Sequence, residues 1–515
     1  MENHMSKDNS LTRRDFMKAA GAASIGLALK SEAAAEEAAS PEKRPNILWI
    51  CTDQQRFDTI AALGNKHIRT PNLDRLVSEG VAFTHAFSQN PVCTPSRASF
   101  LTGRYPRTTG ARQNGQCIPE DEVLVTKMLA DQGYDCGLSG KLHICPCHKR
   151  VEHRIDDGYR EFHWSHHPHP DWPENEYIQW LESKGHQWKD VYPGPKGKHA
   201  YPGVPADLHQ TTWCFDKAID FIKEDRQGPW LMSINCFDPH HPFDPPQEYL
   251  DRYDPDTLPD PDYVAGELAD KPFFQRIDHD GAYGGMLLGF SKMTPRERRE
   301  VTAAYYAMIE LIDTNVGRIL KMLDDTGLRK DTIVIFQSDH GELLGDHGVY
   351  LKGPYMYDCS IRVPLIVSWP GHFKNGLRSD AIVELVDLVP TLLTAAEMPI
   401  PARVQGESLF DLLTGKADPH KHKDYAYAEY YASQPFHESF PPDPLLTMVR
   451  TREHKVVAYH GIEDGELYDL GADPGEHENL WNSSEHTDLK RDLLKKCFDA
   501  SVLTMDPLPE RIAPW

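Results

Sequence analysis

Positive charge is scarce in this 515-residue sequence: 55 Lys and Arg stand against 78 Asp and Glu, a net charge of −23 with His neutral. So acidic a chain is not made for nucleic acid, and its overall field repels polyanions. Any anionic ligand must therefore be met by cations gathered locally. Past the N-terminal region no apolar run is long enough to span a membrane, so no transmembrane anchor is expected. Cysteine is sparse as well. Ten residues, at 51, 93, 117, 136, 145, 147, 214, 236, 359 and 497, are too scattered for a small disulfide-stapled scaffold. Cys145-Pro146-Cys147, near Cys136, is compatible with a disulfide or a metal site, but ordinary loop cysteines are the expectation. Repeats and low-complexity tracts are missing beyond an Ala-rich leader.

The N-terminus is informative. Thr12-Arg13-Arg14-Asp15-Phe16-Met17-Lys18 precedes a mild apolar run, Ala19 to Leu29, and Ala33-Ala34-Ala35 offers a small-residue cleavage site. This resembles a twin-arginine signal rather than a basic amphipathic helix. Residues 1–40 are set aside from the fold on that ground. The resemblance implies the twin-arginine export machinery as a partner and a periplasmic or otherwise exported location.

Short apolar strands alternate with helices. Pro45–Asp53, Trp230–Phe237, Thr332–Phe336 and Pro364–Trp369 read as buried strands. Asn72–Leu76 reads as a short helix stopped by Gly80, and 297–325 as a long one with Ala304, Met308, Leu311 and Ile312 on one face and Gly327 as its stop. The pattern predicts an α/β fold, a large and mostly parallel sheet sandwiched by helices, over 44–415. Residues 416–515 read as a smaller α+β unit, with strands at 446–450, 454–459 and 466–470 and a helix over 487–498. The Pro- and Phe-rich stretch 433–444 reads as a loop.

Two predicted strands end in polar groups, Asp53-Gln54 and Ser338-Asp339-His340-Gly341-Glu342. Ligands of open α/β sheets gather outside the carboxyl ends of strands, so these acids can meet, although each could also cap the following helix. Between them lies Cys93-Thr94-Pro95-Ser96-Arg97. By itself this is a thiol before a turn, with Pro95 and Ser96 opening a helix. It resembles the Cys-x-Pro-Ser-Arg signature of the type I sulfatases, of the alkaline-phosphatase-like superfamily, in which the Cys is oxidised to formylglycine. The resemblance runs from about Asn46 to Leu480 and implies an alkaline-phosphatase-like fold.

It also implies a metal site of Asp53, Gln54, Cys93, Asp339 and His340. Gln54 stands where the family has a second Asp, and His340 where it has an Asn. Calcium is the expected ion, and manganese or another divalent ion stays open because of the imidazole. Gly140-Lys141-Leu142-His143 resembles the family's Gly-Lys-x-His element and Pro239-His240-His241-Pro242 its Pro-His-x-Pro element, while Lys352 falls where a second sulfate-binding lysine stands.

The implied enzyme is a sulfuric ester hydrolase of the arylsulfatase type. Its formylglycine hydrate, made from Cys93 by a maturation enzyme, attacks sulfur; Arg97 steadies the hydrate, Lys141 and Lys352 bind sulfate, His240 protonates the leaving alcohol and His143 promotes release. A sulfated carbohydrate is the expected substrate. A phosphonate monoester or phosphodiester hydrolase with the same aldehyde is the alternative, and a non-catalytic sugar-binding protein on this scaffold a second. The His- and Trp-rich stretch 161–172 has no tidy ligand spacing for a metal and reads as a loop over the site, and Asp346-His347 as a possible substrate contact.

Overall fold

The computed structural model describes residues 44–433 and 444–509. The twin-arginine segment and nearly all of the 433–444 loop lie outside them. Twelve strands are seen among the described residues. Eight form one sheet: β1 (Asn46–Thr52), β2 (Val81–Phe87), β3 (Asp135–Gly140), β4 (Glu161–Trp164), β5 (Trp230–Asn235), β6 (Thr332–Ser338), β7 (Arg362–Ser368) and β8 (Leu377–Glu384). Their spatial order is β4-β3-β5-β1-β6-β7-β2-β8. Only β7 runs antiparallel to its neighbours; the rest pair in parallel.

All seven residues of β1 are buried, as befits a strand covered on both faces. Alternate side chains enter different cores. Ile47, Trp49 and Cys51 join Ile333 and Ile335 on one face, where the helix Cys93–Thr102 adds Ala98, Phe100 and Leu101. Leu48 and Ile50 join Val334 and Phe336 on the other, against Trp213 and Phe215 and against Ile312 and Val316. The helices concerned are α1 (Pro71–Glu79), α2 (Cys93–Thr102), α3 (Gln210–Lys223) and α4 (Pro295–Asp325). In α4 the Thr294–Glu297 capping box and Pro295 fix the start, and Gly327, at φ 71°, follows the end.

A second, antiparallel sheet of β9 (Tyr425–Tyr431), β10 (Leu445–Thr451), β11 (His454–His460) and β12 (Gly465–Asp469) is followed by α5 (Thr487–Leu503). Its Ala428, Tyr430 and Met448 share one buried cluster with Phe87, Val92 and Tyr357 of the larger layer.

Several expectations need correction. Gly80 is extended (φ −151°) and does not cap α1 in the left-handed region; a Cβ there would sit 2.6 Å from the Val367 carbonyl, so glycine is required by close approach to β7. Asp313 of α4, not a local residue, accepts the first amides of α1, Asn72 N at 3.0 Å and Leu73 N at 2.7 Å. Residues 161–164 are an edge strand, not loop. Cys145 is no loop thiol: it is disulfide-bonded to Cys117, while Cys136 and Cys147 are free and buried. Cys93 does not precede its helix; it is the first helical residue, with Val92 as N-cap.

Candidate active site

The four adjacent strands β3, β5, β1 and β6 are mutually parallel, so their carboxyl ends open on one edge. Lys141 follows β3, His240 lies five residues past β5, and Asp53 and Asp339 directly follow β1 and β6. That register turns residues far apart in sequence into one constellation.

Helix α2 points its N-terminus into the same place, and Cys93 Sγ is its focus. Lys352 Nζ lies 3.0 Å away, His340 Nε2 3.2 Å, Lys141 Nζ 3.5 Å and Asp53 Oδ1 3.7 Å. One turn on, fully buried Arg97 gives Nε to Asp339 Oδ2 at 2.8 Å and Nη1 to the Lys141 carbonyl at 2.7 Å, with Nη2 3.4 Å from Asp53 Oδ2. Lys141 also pairs with Asp53. Lys352 is 3% exposed and, among the described residues, enters no ion pair with a carboxylate. Three buried cations thus face two buried carboxylates, and the surplus positive charge suits an anion that the whole-molecule field would repel.

The charges shape the titrations. Burial and Asp53 push the Cys93 thiol up, but Lys141 and Lys352 prevail and hold it well below its ordinary range. Burial works against ionised Asp53 too, yet Lys141, Lys352 and Arg97 keep it far below the usual carboxylate range. Burial first, then Lys141, lowers His143 to about 4. Burial first, then Lys352 and His241, hold His240 well below its ordinary range. Both imidazoles are therefore neutral at pH 7.

The donor set for a cation is coherent. Asp53, Cys93, Asp339 and His340 each bring one ligand atom within 4.8 Å of the others. His340 Nδ1 lies 2.9 Å from the Gly341 carbonyl, which assigns the proton to Nδ1 and leaves the Nε2 lone pair toward the centre. Gln54 Oε1 is buried without a hydrogen-bond partner among the described residues, while its Nε2 donates to Glu342. Two carboxylates, an amide oxygen and an oriented imidazole fit a divalent ion.

Two carboxylates that sequence reasoning passed over hold the frame. Buried Glu342 accepts from Gln54 and from Leu344 N and Leu351 N, tying the Asp339 segment to the turn that carries Lys352. Buried Glu152 accepts from His143 N (2.7 Å), Ile144 N (2.9 Å), Cys145 N (3.3 Å) and Trp164 Nε1 (3.1 Å), fixing a loop in which His143 has φ 57°. Glu342 stood in the strand-end motif itself; Glu152 had no local signal. Asp346 and His347 are engaged by the protein, Asp346 with Arg56 at 2.7 Å and His347 stacked 3.7 Å from Tyr357 and bonded to Glu267. The 161–172 segment lies beside the constellation: His166 meets His143 edge-on at 4.4 Å, and His167 meets Phe237, the neighbour of His240, at 4.8 Å.

Residues 45–398, more than half of the chain, match the sulfatase family. The chain belongs to the sulfatase family. Residues 345–502 also match the C-terminal family of N-sulphoglucosamine sulphohydrolase. An arylsulfatase of Clostridium perfringens is 32% identical over 88% of this chain and 93% of its own. An ulvan-active sulfatase of Formosa agariphila is 30% identical over 91% and 83%. Among solved structures, a phosphonate monoester hydrolase from Silicibacter pomeroyi superposes with a TM-score of 0.79 at 26% identity, covering 90% of this chain and 96% of its own. This sulfatase is thus a sulfuric ester hydrolase on the fold its strands predicted.

Proposed function

We propose that this sulfatase removes sulfate from a carbohydrate ester through formylglycine made from Cys93. The observation that carries the reading is the surrounding of Cys93 Sγ: two buried ammonium groups within 3.5 Å, one of them without a carboxylate partner, beside a cation-binding donor set. Formylglycine at 93 supplies, as its hydrate, an oxygen nucleophile and a second hydroxyl for product release. A divalent ion held by Asp53, Gln54, Asp339 and His340, calcium as first choice, supplies positive charge at the reacting oxygens.

The chain's own residues do the rest. Lys141 and Lys352 neutralise the sulfate oxygens as charge develops, and Arg97 keeps Asp339 and the Lys141 backbone in place. Neutral His143 is ready to accept a proton beside residue 93. His240 Nδ1 lies 2.6 Å from the His241 carbonyl, so its proton sits there and Nε2 is the titrating atom. A bound sulfate offsets the charge of Lys352, raises the proton affinity of Nε2 and fits it to protonate the leaving alcohol.

The carbohydrate reading draws on the ulvan-active relative and on an N-acetylglucosamine-6-O-sulfatase of Bacteroides thetaiotaomicron, 26% identical over 88% of this chain and 85% of its own. Aromatic rings at Trp172, His167 and Phe237 add surfaces on which sugars stack. The twin-arginine signature supports export to the periplasm, with a maturation enzyme acting on Cys93 beforehand. Among the described residues no helix is long and apolar enough to cross a membrane.

Protein whose Cys93 peptide shows the aldehyde by mass spectrometry should release sulfate from defined sulfated oligosaccharides, and Cys93→Ala should not. Sulfate release by purified Cys93→Ala sinks the mechanism. The similarity to a phosphonate monoester hydrolase, with Gln54 and His340 in the donor set, supports a second reading. Relative kcat/KM for nitrophenyl sulfate and phenyl phosphonate esters decides between them.

A further inference from the structure

The loop after β3 and the segment after β4 bring a second group of donors together around His143. His143, Cys147 and His166 each place one ligand atom within 4.8 Å of the other two. Their sequence spacing gives no hint of this, because β4 and its pairing with β3 create the proximity. Cys147 is a free buried thiol, its neighbour Cys145 being committed to Cys117. His143 is 8% exposed, and its Nδ1 has no hydrogen-bond partner among the described residues. Both ring nitrogens of His166 are likewise buried and unpartnered. Buried imidazoles ordinarily satisfy their nitrogens, and here three unpaired nitrogens accompany one thiol.

The site is braced from outside. Trp172 stacks on His166 at 5.4 Å and on Trp164 at 6.0 Å, which holds the His166 ring. Glu152 grips the backbone carrying His143. Two imidazoles and a thiolate form a donor set that zinc prefers and calcium avoids. Tetrahedral zinc places its ligand atoms about 3.3 to 3.8 Å apart, so the group needs to close by about 1 Å.

We propose that His143, Cys147 and His166 form a thiophilic-metal site, of zinc type, whose occupancy takes the one basic lone pair of neutral His143 and inhibits the enzyme. The ion displaces the Cys147 thiol proton to solvent, and three protein ligands leave one position for water. The inhibitory part rests on the proposed role of His143; the site itself does not.

Cobalt(II) is the probe, titrated into full-length Cys93→Ala protein in excess calcium, so that neither residue 93 nor the acidic site contributes a thiolate signal. A thiolate-to-cobalt band in the near-ultraviolet, lost in Cys93→Ala/Cys147→Ser and weakened at least about tenfold in Cys93→Ala/His166→Gln, is expected. No band, or a band indifferent to both substitutions, overturns the site. In the formylglycine-bearing enzyme, zinc should lower kcat, and Cys147→Ser should keep basal activity while needing at least about tenfold more zinc. Binding without inhibition overturns the coupling and the role of His143, yet leaves the site. Zinc inhibition unchanged by Cys147→Ser overturns the coupling of this site to activity.

Discussion

Replacing Glu152 by Gln keeps the shape of a buried side chain and removes half of its capacity to accept. Four N–H groups converge on the carboxylate, two on each oxygen: His143 N and Trp164 Nε1 on Oε1, Ile144 N and Cys145 N on Oε2. In the amide one oxygen still accepts a pair, but the NH2 group turns donor against donor toward the other. Two buried bonds to a charged acceptor are lost at about 1.5 kcal/mol each, so we expect about 3 kcal/mol of destabilisation. Burial already pushes the Glu152 carboxyl upward, and that relief trims the figure slightly. Activity should fall because the loop holds His143 at φ 57°; a displacement of about 1 Å costs on the order of a hundredfold in kcat, with KM little changed. Urea unfolding and steady-state sulfate release measure the two effects. If Glu152 acts through His143, Glu152→Gln adds no further loss of kcat to His143→Ala. Destabilisation below about 0.5 kcal/mol, or additive losses in kcat, would refute the reasoning.

Three further outcomes follow from particular groups. His143 titrates near 4 rather than at its ordinary 6.5, so its basic form prevails above that value, and kcat should fall only as pH drops through about 4; an acid limb centred near 6.5 contradicts the assignment. Gln54→Glu sets two buried carboxylates in contact at Glu342 and forces one to take up a proton; we expect a loss of about 3 kcal/mol in a metal-free thermal or urea melt, whereas Gln54→Met, which removes the Oε1 acceptor and the Nε2 donor to Glu342 without adding charge, should lose metal affinity and only about 1.5 kcal/mol of stability. The Cys117–Cys145 bridge spans 28 residues, and its removal by Cys117→Ser/Cys145→Ser should lower stability by about 3 to 4 kcal/mol on chain entropy; reductant should reproduce that shift in wild type and leave the double variant unmoved.

The sequence by itself determined the sheet's central strands, the long helix α4 and the family, because these depend on local apolar periodicity and on residues fixed within short motifs. Asn46–Thr52 and Thr332–Ser338 are legible as buried strands since both faces are apolar, and the Cys93 pentapeptide carries its meaning in five consecutive positions. Tertiary structure decided what depends on register and on partners far along the chain. Only parallel pairing of β3, β5, β1 and β6 sends Lys141, His240, Asp53 and Asp339 to one edge. Glu152 and Glu342 are unremarkable as isolated acids and acquire roles by accepting buried amides from other segments. The same physics turned Cys145 into a disulfide partner and set Cys147 beside His143 and His166, because no spacing rule encodes a contact made by two loops that meet only after the sheet has formed.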